Sequence, residues 1–194
     1  MTRVNAMTTH YIDFRVVPDP ETTASQLMGA LYSRLHLALV ENRPNPVGVS
    51  FPQYSRNPRA IGNVLRVHGP ELALQQLMSK DWLKGVRDHV RVTEILQVPA
   101  EAKHRTVSRK QFKTNAARLR RRRMQRKGET AEQAKLAIPD TVERKPDLPY
   151  IHIKSHSTGQ NFCLFIALGS EREKPVEGSF NSHGLSGETT IPWF

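Results

Sequence analysis

The stretch Leu27-Met28-Gly29-Ala30-Leu31-Tyr32-Ser33-Arg34-Leu35-His36-Leu37-Ala38-Leu39-Val40 decides how this chain is read. Leucines at 27, 31, 35 and 39, with Met28 and Ala38 beside them, draw an apolar stripe at helical spacing. This predicts one amphipathic helix over residues 23–41, capped by Thr22 or Thr23. His36 falls one residue off the leucine row, in file with Tyr32 and Val40, at the edge of the buried face. Just ahead, Tyr-Ile-Asp-Phe-Arg-Val-Val at 11–17 alternates as a strand does and stops at Pro18-Asp19-Pro20. Beyond the helix, strands are expected at 47–51 and 64–68 around a polar loop, then a short helix at 71–78 opened by Pro70, and a fourth strand at 90–98. The order β-α-β-β-α-β is the split pattern of the ferredoxin-like fold, shared by many RNA-binding modules. Modules of this type that stack bases on the sheet carry paired strand aromatics. No such run occurs here, so the sheet face is not the expected binding surface.

Residues 99–104 form the natural boundary. The fold class is α+β: a ferredoxin-like domain at 1–99, followed by a smaller α+β domain at 100–194. In the second part, residues 105–112 read as extended, residues 115–127 as an arginine-rich helix with Asn115 as N-cap, and residues 130–138 as an ordinary amphipathic helix ended by Pro139. A hairpin is expected from 150–155 and 161–168 around Thr158-Gly159. The tail, ending in Pro192-Trp193-Phe194, reads as an end docked into the body.

Charge separates the two halves. The formal net charge is +11, of which the residues after position 100 hold most. Between Lys103 and Lys127, 12 of 25 residues are Lys or Arg and none is Asp or Glu, a cationic field expected to seat a polyanion. A membrane-surface helix would carry a broad apolar face opposite its charges, and the arginine run has none, so nucleic acid is favoured. No run reaches the roughly 18 apolar residues of a membrane span. The first residues read as a leader without the apolar centre of a signal peptide. The single cysteine, Cys163, excludes an internal disulfide and fits a reducing, cytoplasmic setting. Its place in Phe-Cys-Leu-Phe-Ile suggests a buried strand thiol.

Most enzyme classes lack support, because the chain has no phosphate-binding glycine loop, no metal-spaced cysteines and no HExxH. A two-metal nuclease needs several carboxylates at the nucleic acid, and residues 103–127 supply none. No metal and no cofactor is expected. Cleavage without metal is open to RNA, whose 2′-OH can attack the adjacent phosphorus if the protein positions it and takes its proton. Histidine is the natural proton handler near neutrality. Among the eight, His36 beside the buried stripe, His156 between two serines and His183 before a tail glycine are candidates, and spacing does not choose among them.

The chain as a whole resembles a known family. The motifs are Tyr-Ile-Asp-Phe-Arg at 11–15, Leu-His-Leu-Ala-Leu-Val at 35–40, Val-Gly-Val-Ser-Phe-Pro at 47–52, Val-Ser-Arg-Lys-Gln at 107–111, and the arginine helix. They continue with Ile-Pro-Asp-Thr-Val at 138–142, Ser-His-Ser-Thr-Gly-Gln-Asn-Phe at 155–162, His-Gly-Leu-Ser at 183–186 and the terminal Pro-Trp-Phe. Together, in this order, they resemble the CRISPR repeat-processing endoribonucleases of the I-F subtype, the Csy family. The resemblance implies an enzyme that binds the repeat hairpin of pre-crRNA and cuts at its 3′ base without metal. It also implies a 2′,3′-cyclic phosphate and a 5′-hydroxyl as products, retention on the crRNA, and partnership with the other subunits of a type I-F surveillance complex. It places the 2′-OH proton on His36, ribose orientation on Ser155 with Ser157 in support, and base reading on Arg109 and Gln111. Phe162 would stack on the terminal base pair, against an equally open reading as a core phenylalanine. Arg118, Arg121, Arg122 and Gln125 share one helix face, with Arg126 beside them, as phosphate contacts. Two departures stand out: His183 replaces a tyrosine of the family, leaving it as orienter of His36 or as proton donor, and Gln125 replaces an arginine. A non-catalytic hairpin-binding subunit is the alternative.

Overall fold

The computed structural model describes residues 8–40, 46–112, 116–142, 147–154 and 159–194. In chain order the elements are β1 (His10–Val16), α1 (Ala24–Val40), β2 (Gly48–Ser50), β3 (Ser55–Arg56), β4 (Arg59–Ala60), β5 (Val64–Gly69) and α2 (Glu71–Met78). Then come β6 (Val90–Val92), β7 (Leu96–Gln97), β8 (Lys103–Arg105), β9 (Val107–Lys110), α3 (Ala116–Lys127), α4 (Ala131–Ala137), β10 (Tyr150–Lys154), β11 (Asn161–Leu168) and β12 (Ile191–Trp193). Among the described residues no helix is long and apolar enough to cross a membrane.

The molecule is mixed α+β with antiparallel sheets. The main sheet has the order β2-β5-β1-β6, with β7 also paired to β1, and its strand pairs are antiparallel, Phe14 facing Leu65 and Val92, and Val49 facing Val67. Alternation along β1 sends Ile12, Phe14 and Val16 into the core, where they join Leu65 and Val67 of β5 and the α1 stripe of Leu27, Leu31, Leu35 and Leu39. Each such fully buried side chain contributes about 1.5–3 kcal/mol. The expected fourth strand is two short ones, β6 and β7, interrupted at Thr93. There the Thr93 hydroxyl accepts the amide of Asp13, so a side chain replaces a rung of the ladder. The loop expected at 52–63 contains the small β3–β4 hairpin.

The chain divides into two compact units, residues 1–109 with 148–194, and residues 110–147. This differs from a division at 99/100, because the hairpin and tail pack with the N-terminal elements. The sheet β10-β11-β9 lies in the first unit, and Ile151, Ile153, Leu164 and Ile166 enter the same core as α1. Gly29 permits the close approach, since a Cβ there would overlap the main-chain carbonyl of His152 in β10. The tail closes the far side. β12 pairs with β8, and the Arg66 guanidinium lies over the rings of Tyr11 and Phe194 at 4.5 and 4.1 Å while bonding both carboxylate oxygens of Asp13 at 2.7 and 2.9 Å.

His68 on β5 is wholly buried, with Nε2 2.8 Å from the Ser50 hydroxyl and Nδ1 without a partner. Burial, reinforced by Arg66, lowers its pKa to about 3. Because the unfolded chain binds a proton near pH 6.5 that the folded chain refuses, stability is complete above that pH and falls as pH drops towards 3. Urea denaturation at pH 7 and pH 4.5 should differ by about 3 kcal/mol from this group, and His68→Gln should remove that part of the slope.

In the second unit, α3 packs against α4, whose start is fixed by a capping box between Thr130 and Gln133. The arginine run is less uniformly unpaired than its composition implies. Arg120 donates to the Ile138 carbonyl at 2.8 Å and pairs with Asp140 at 2.6 Å, while Arg123 bonds both carboxylate oxygens of Glu129 at 2.5 and 3.0 Å. The neutralising acids lie just outside the span from Lys103 to Lys127, so a count within that span misses them. Asn115, expected as the N-cap, lies outside the described residues.

Candidate active site

The apolar stripe of α1 fixes the rotation of the helix, and that rotation sets His36 at the border of the core, half-buried. One turn earlier Tyr32 is fully buried and its hydroxyl donates to the main-chain oxygen of His183 at 2.7 Å. His36 Nδ1 lies 2.7 Å from the carbonyl oxygen of Ser182. A carbonyl only accepts, so Nδ1 carries hydrogen and, in the neutral ring, Nε2 holds the free lone pair. The His36 and His183 rings are stacked, centroids 3.8 Å apart and 3° from parallel.

The tail turn that supplies Ser182 and His183 is built to hold one shape. The Asn181 side-chain oxygen accepts the amides of His183 and Leu185 at 2.8 and 3.1 Å, and the Asn181 amide donates to the Leu185 carbonyl at 3.0 Å. Gly184, at φ +69°, takes a left-handed conformation that suits glycine. Its carbonyl accepts the Val49 amide of β2 at 2.9 Å, and the Ser186 amide donates to the Val107 carbonyl of β9. Thus the main sheet and the tail jointly position the histidine pair.

Burial, then the neighbouring charge sites of His36 and Arg109, lower the pKa of His183 to about 4, so this ring is neutral at pH 7. Its Nδ1 is buried without a hydrogen-bond partner. Arg109, on β9, also bears on Tyr32, whose phenol is held above its ordinary range mainly by burial, against the opposing pull of the guanidinium. The same guanidinium lies 5.4 Å from the centroid of the Phe162 ring, which is half-buried against the core rather than inside it.

One compact unit therefore brings His36, His183, Arg109 and Phe162 of the expected residues into one electrostatic and packing neighbourhood. Ser155 and Ser157, with His156, lie outside the described residues. Gln111 is exposed in the other unit, as are Arg118, Arg121, Arg122, Gln125 and Arg126 along α3. Cys163 is half-buried on β11, its thiol 3.7 Å from His152 Nδ1 and pushed up in pKa by burial, so it offers little thiolate for chemistry. Two contributors escaped the sequence reading. Tyr32 had a signal, four residues ahead of His36 on the same helix file. The Ser182 carbonyl had none, since any residue carries one.

A protein-family model described as CRISPR-associated protein (Cas_Csy4) matches residues 11–194, nearly the whole chain. The chain belongs to this family. A relative from Pseudomonas aeruginosa (strain UCBPP-PA14) is 44% identical over 185 residues, covering 95% of this chain and 99% of the relative. Another from Escherichia coli (strain UTI89 / UPEC) is 42% identical with the same coverage. Each is named CRISPR-associated endonuclease Cas6/Csy4. The resemblance drawn from the motifs is borne out.

Proposed function

We propose that this chain is a metal-independent, site-specific endoribonuclease that binds the CRISPR repeat hairpin and cleaves pre-crRNA at the hairpin's 3′ base. The observation that carries the reading is His36, with Nδ1 tied to the Ser182 carbonyl and Nε2 left as the basic nitrogen. In the reaction the 2′-OH loses its proton to Nε2, its oxygen bonds to the adjacent phosphorus, and the bond from phosphorus to the 5′-oxygen of the next nucleotide breaks. The departing 5′-oxygen gains a proton from solvent, and His36 later returns its own. The products are a 2′,3′-cyclic phosphate and a 5′-hydroxyl. A positioned general base is worth roughly a hundred- to ten-thousand-fold, and alignment of the ribose adds to it.

In this reading Ser155 orients the attacking ribose and Ser157 supports it. Arg109 reads a guanine edge through its guanidinium fork, Gln111 an adenine edge, and Phe162 stacks on the last base pair so that the scissile phosphate meets His36. Arg118, Arg121, Arg122, Gln125 and Arg126 hold backbone phosphates. The main sheet order supports a ferredoxin-like arrangement for residues 1–99, and residues 100–194 supply the RNA contacts. After the cut the protein stays on the crRNA as a subunit of the cytoplasmic type I-F surveillance complex.

Of the two roles open to His183, positioning is the better supported. A ring whose protonation is opposed by burial, by His36 and by Arg109 is a poor proton reserve at pH 7. His183→Phe keeps a flat ring against His36 and is expected to cleave within about threefold of wild type with an unchanged pH profile from 5 to 9. His183→Ala, which removes the stack, is expected to lose ten- to a hundredfold. Loss of one limb of the profile in His183→Phe would instead assign it the donor role.

The test of the whole reading is single-turnover cleavage of a repeat hairpin RNA with excess EDTA, beside the same RNA carrying 2′-deoxyribose at the scissile position. Full-rate cleavage in EDTA with none of the deoxy substrate is expected. Loss of cleavage in EDTA, or cutting of the deoxy RNA, overturns it.

A further inference from the structure

Tyr32 lies one helical turn ahead of His36 on α1, inside the core at 1% exposure. A phenylalanine would fill the same space beside Phe51, whose ring centroid is 6.0 Å away. The hydroxyl is therefore the part of the side chain that packing does not explain, because a buried phenol costs free energy unless it finds a partner. That partner is the His183 carbonyl, at 2.7 Å. Burial holds the phenol above its ordinary pKa range, so at neutral pH it stays protonated and donating.

From the same face of α1, Tyr32 and His36 grip successive carbonyls of the tail turn. His36 Nδ1 takes the Ser182 oxygen at 2.7 Å, and the Tyr32 hydroxyl takes the next one along the chain. These carbonyls belong to the two peptide planes that meet at the His183 Cα. The amide of the first plane, on His183, donates to the Asn181 side chain at 2.8 Å. The amide of the second, on Gly184, donates to the Asn181 main-chain oxygen at 2.9 Å. Within this turn, Asn181 thus holds the amide edge of each plane, and α1 holds the carbonyl edge. Release of the His183 carbonyl would free the ψ angle of His183 and so the angle between the planes. Both the Ser182 carbonyl and the His183 ring, stacked 3.8 Å from His36, depend on that angle.

We propose that Tyr32 is a positioning residue for the cleavage reaction: its hydroxyl clamps the tail turn so that the Ser182 carbonyl keeps hydrogen on His36 Nδ1 and leaves Nε2 as the base. The clamp acts through His36 and touches no RNA. A neutral imidazole with hydrogen on Nε2 has no lone pair there to accept the 2′-OH proton, so loss of the tautomer is loss of the base. The proposal rests on the endoribonuclease reading and adds to it a residue that none of the roles above includes.

The experiment uses the full chain with Tyr32→Phe, which keeps the ring and removes the hydroxyl. Long-range proton–nitrogen correlation spectra of the imidazoles are recorded on the free protein, at the alkaline end of the His36 titration. Wild type should show hydrogen on Nδ1 of His36, and the variant a mixture of the two tautomers. Single-turnover cleavage of the repeat hairpin should slow about tenfold at unchanged affinity, less than the hundredfold that a displacement of about 1 Å can cost, because Asn181 still holds the turn. Added to His36→Ala, Tyr32→Phe should slow cleavage no further, as expected of a group that acts only through His36. Cleavage by Tyr32→Phe within twofold of wild type overturns the proposal, whatever the tautomer. So does slower cleavage with the Nδ1 tautomer retained, or loss of the folded spectrum, which would make the hydroxyl a requirement of the fold alone. Absence of cleavage by the wild-type chain would mark failure of the endoribonuclease reading. The tautomer arm needs no RNA and would still decide whether Tyr32 governs His36, which tells the two failures apart.

Discussion

His36→Ala is expected to bind the repeat hairpin with wild-type affinity and to cleave it about a thousandfold or more slowly, near the middle of the range for a lost general base. The expectation follows from the geometry rather than from the residue type alone. Eight histidines are present, but His36 combines an α1 position fixed by a buried stripe, a carbonyl partner at 2.7 Å that sets the tautomer, and a parallel ring at 3.8 Å that limits rotation. Electrophoretic mobility shifts and single-turnover rates on the same protein separate the two readouts. If His36→Ala fails to bind, the residue serves the fold. If it cuts at wild-type rate, the base lies elsewhere. Full binding without any cleavage in the wild type would leave the chain as a hairpin-binding subunit and nothing more.

The contributions of the tail turn to this effect are separable. The Asn181 side-chain oxygen gathers two amides of the turn that carries the Ser182 carbonyl and His183. The tautomer of His36 thus depends on backbone held by hydrogen bonds remote in sequence. Such dependence explains why the site was only partly legible beforehand. Periodicity located His36 at the border of the buried face, because the leucine rows of α1 are determined by local helical geometry. It gave no route to the stack on His183, which requires the tail to return and bond to β2 and β9.

The same distinction runs through the fold. Elements set by strong local patterns, α1, β1, β5 and α2, fall within a residue or two of the sequence reading. The division of the chain does not, because β10 packs against α1 and Ile151, Ile153, Leu164 and Ile166 of β10 and β11 enter the same core. Their alternation reveals that they are strands, not which core they enter. The close passage of Gly29 over the His152 carbonyl is likewise invisible as a motif, since an isolated glycine in a helix ordinarily reads only as a small loss of propensity. In the arginine run, sequence spacing identified the exposed face and missed that Arg120 and Arg123 are engaged with acids beyond the helix end.

That partition of the arginines shapes the second large effect. Arg120 and Arg123 tie α3 to the segment that follows it, so replacing them should loosen the 110–147 unit rather than remove RNA contacts alone. Arg121 and Arg122 are exposed, and with them the direct electrostatic consequence can be read. A long A-form duplex keeps its major groove too narrow for a helix, so in the proposed reading α3 approaches bases only at a short or opened stem and otherwise grips phosphates. Arg121→Ala with Arg122→Ala is therefore expected to weaken matched and mismatched stems by similar factors. It should also flatten the slope of log K against log salt by roughly 2, about 0.9 for each duplex phosphate contact. Arg109→Ala, by contrast, should cost about 1–3 kcal/mol on the matched stem and much less on a stem with the read guanine replaced. Its position near both Phe162 and His183 adds a second consequence, a lower cleavage rate on whatever RNA remains bound. Anisotropy titrations on the two stems at three salt concentrations decide the matter. Sequence preference altered by the Arg121 and Arg122 changes, with the salt slope untouched, would reverse this division of labour and make α3 the reader of the stem.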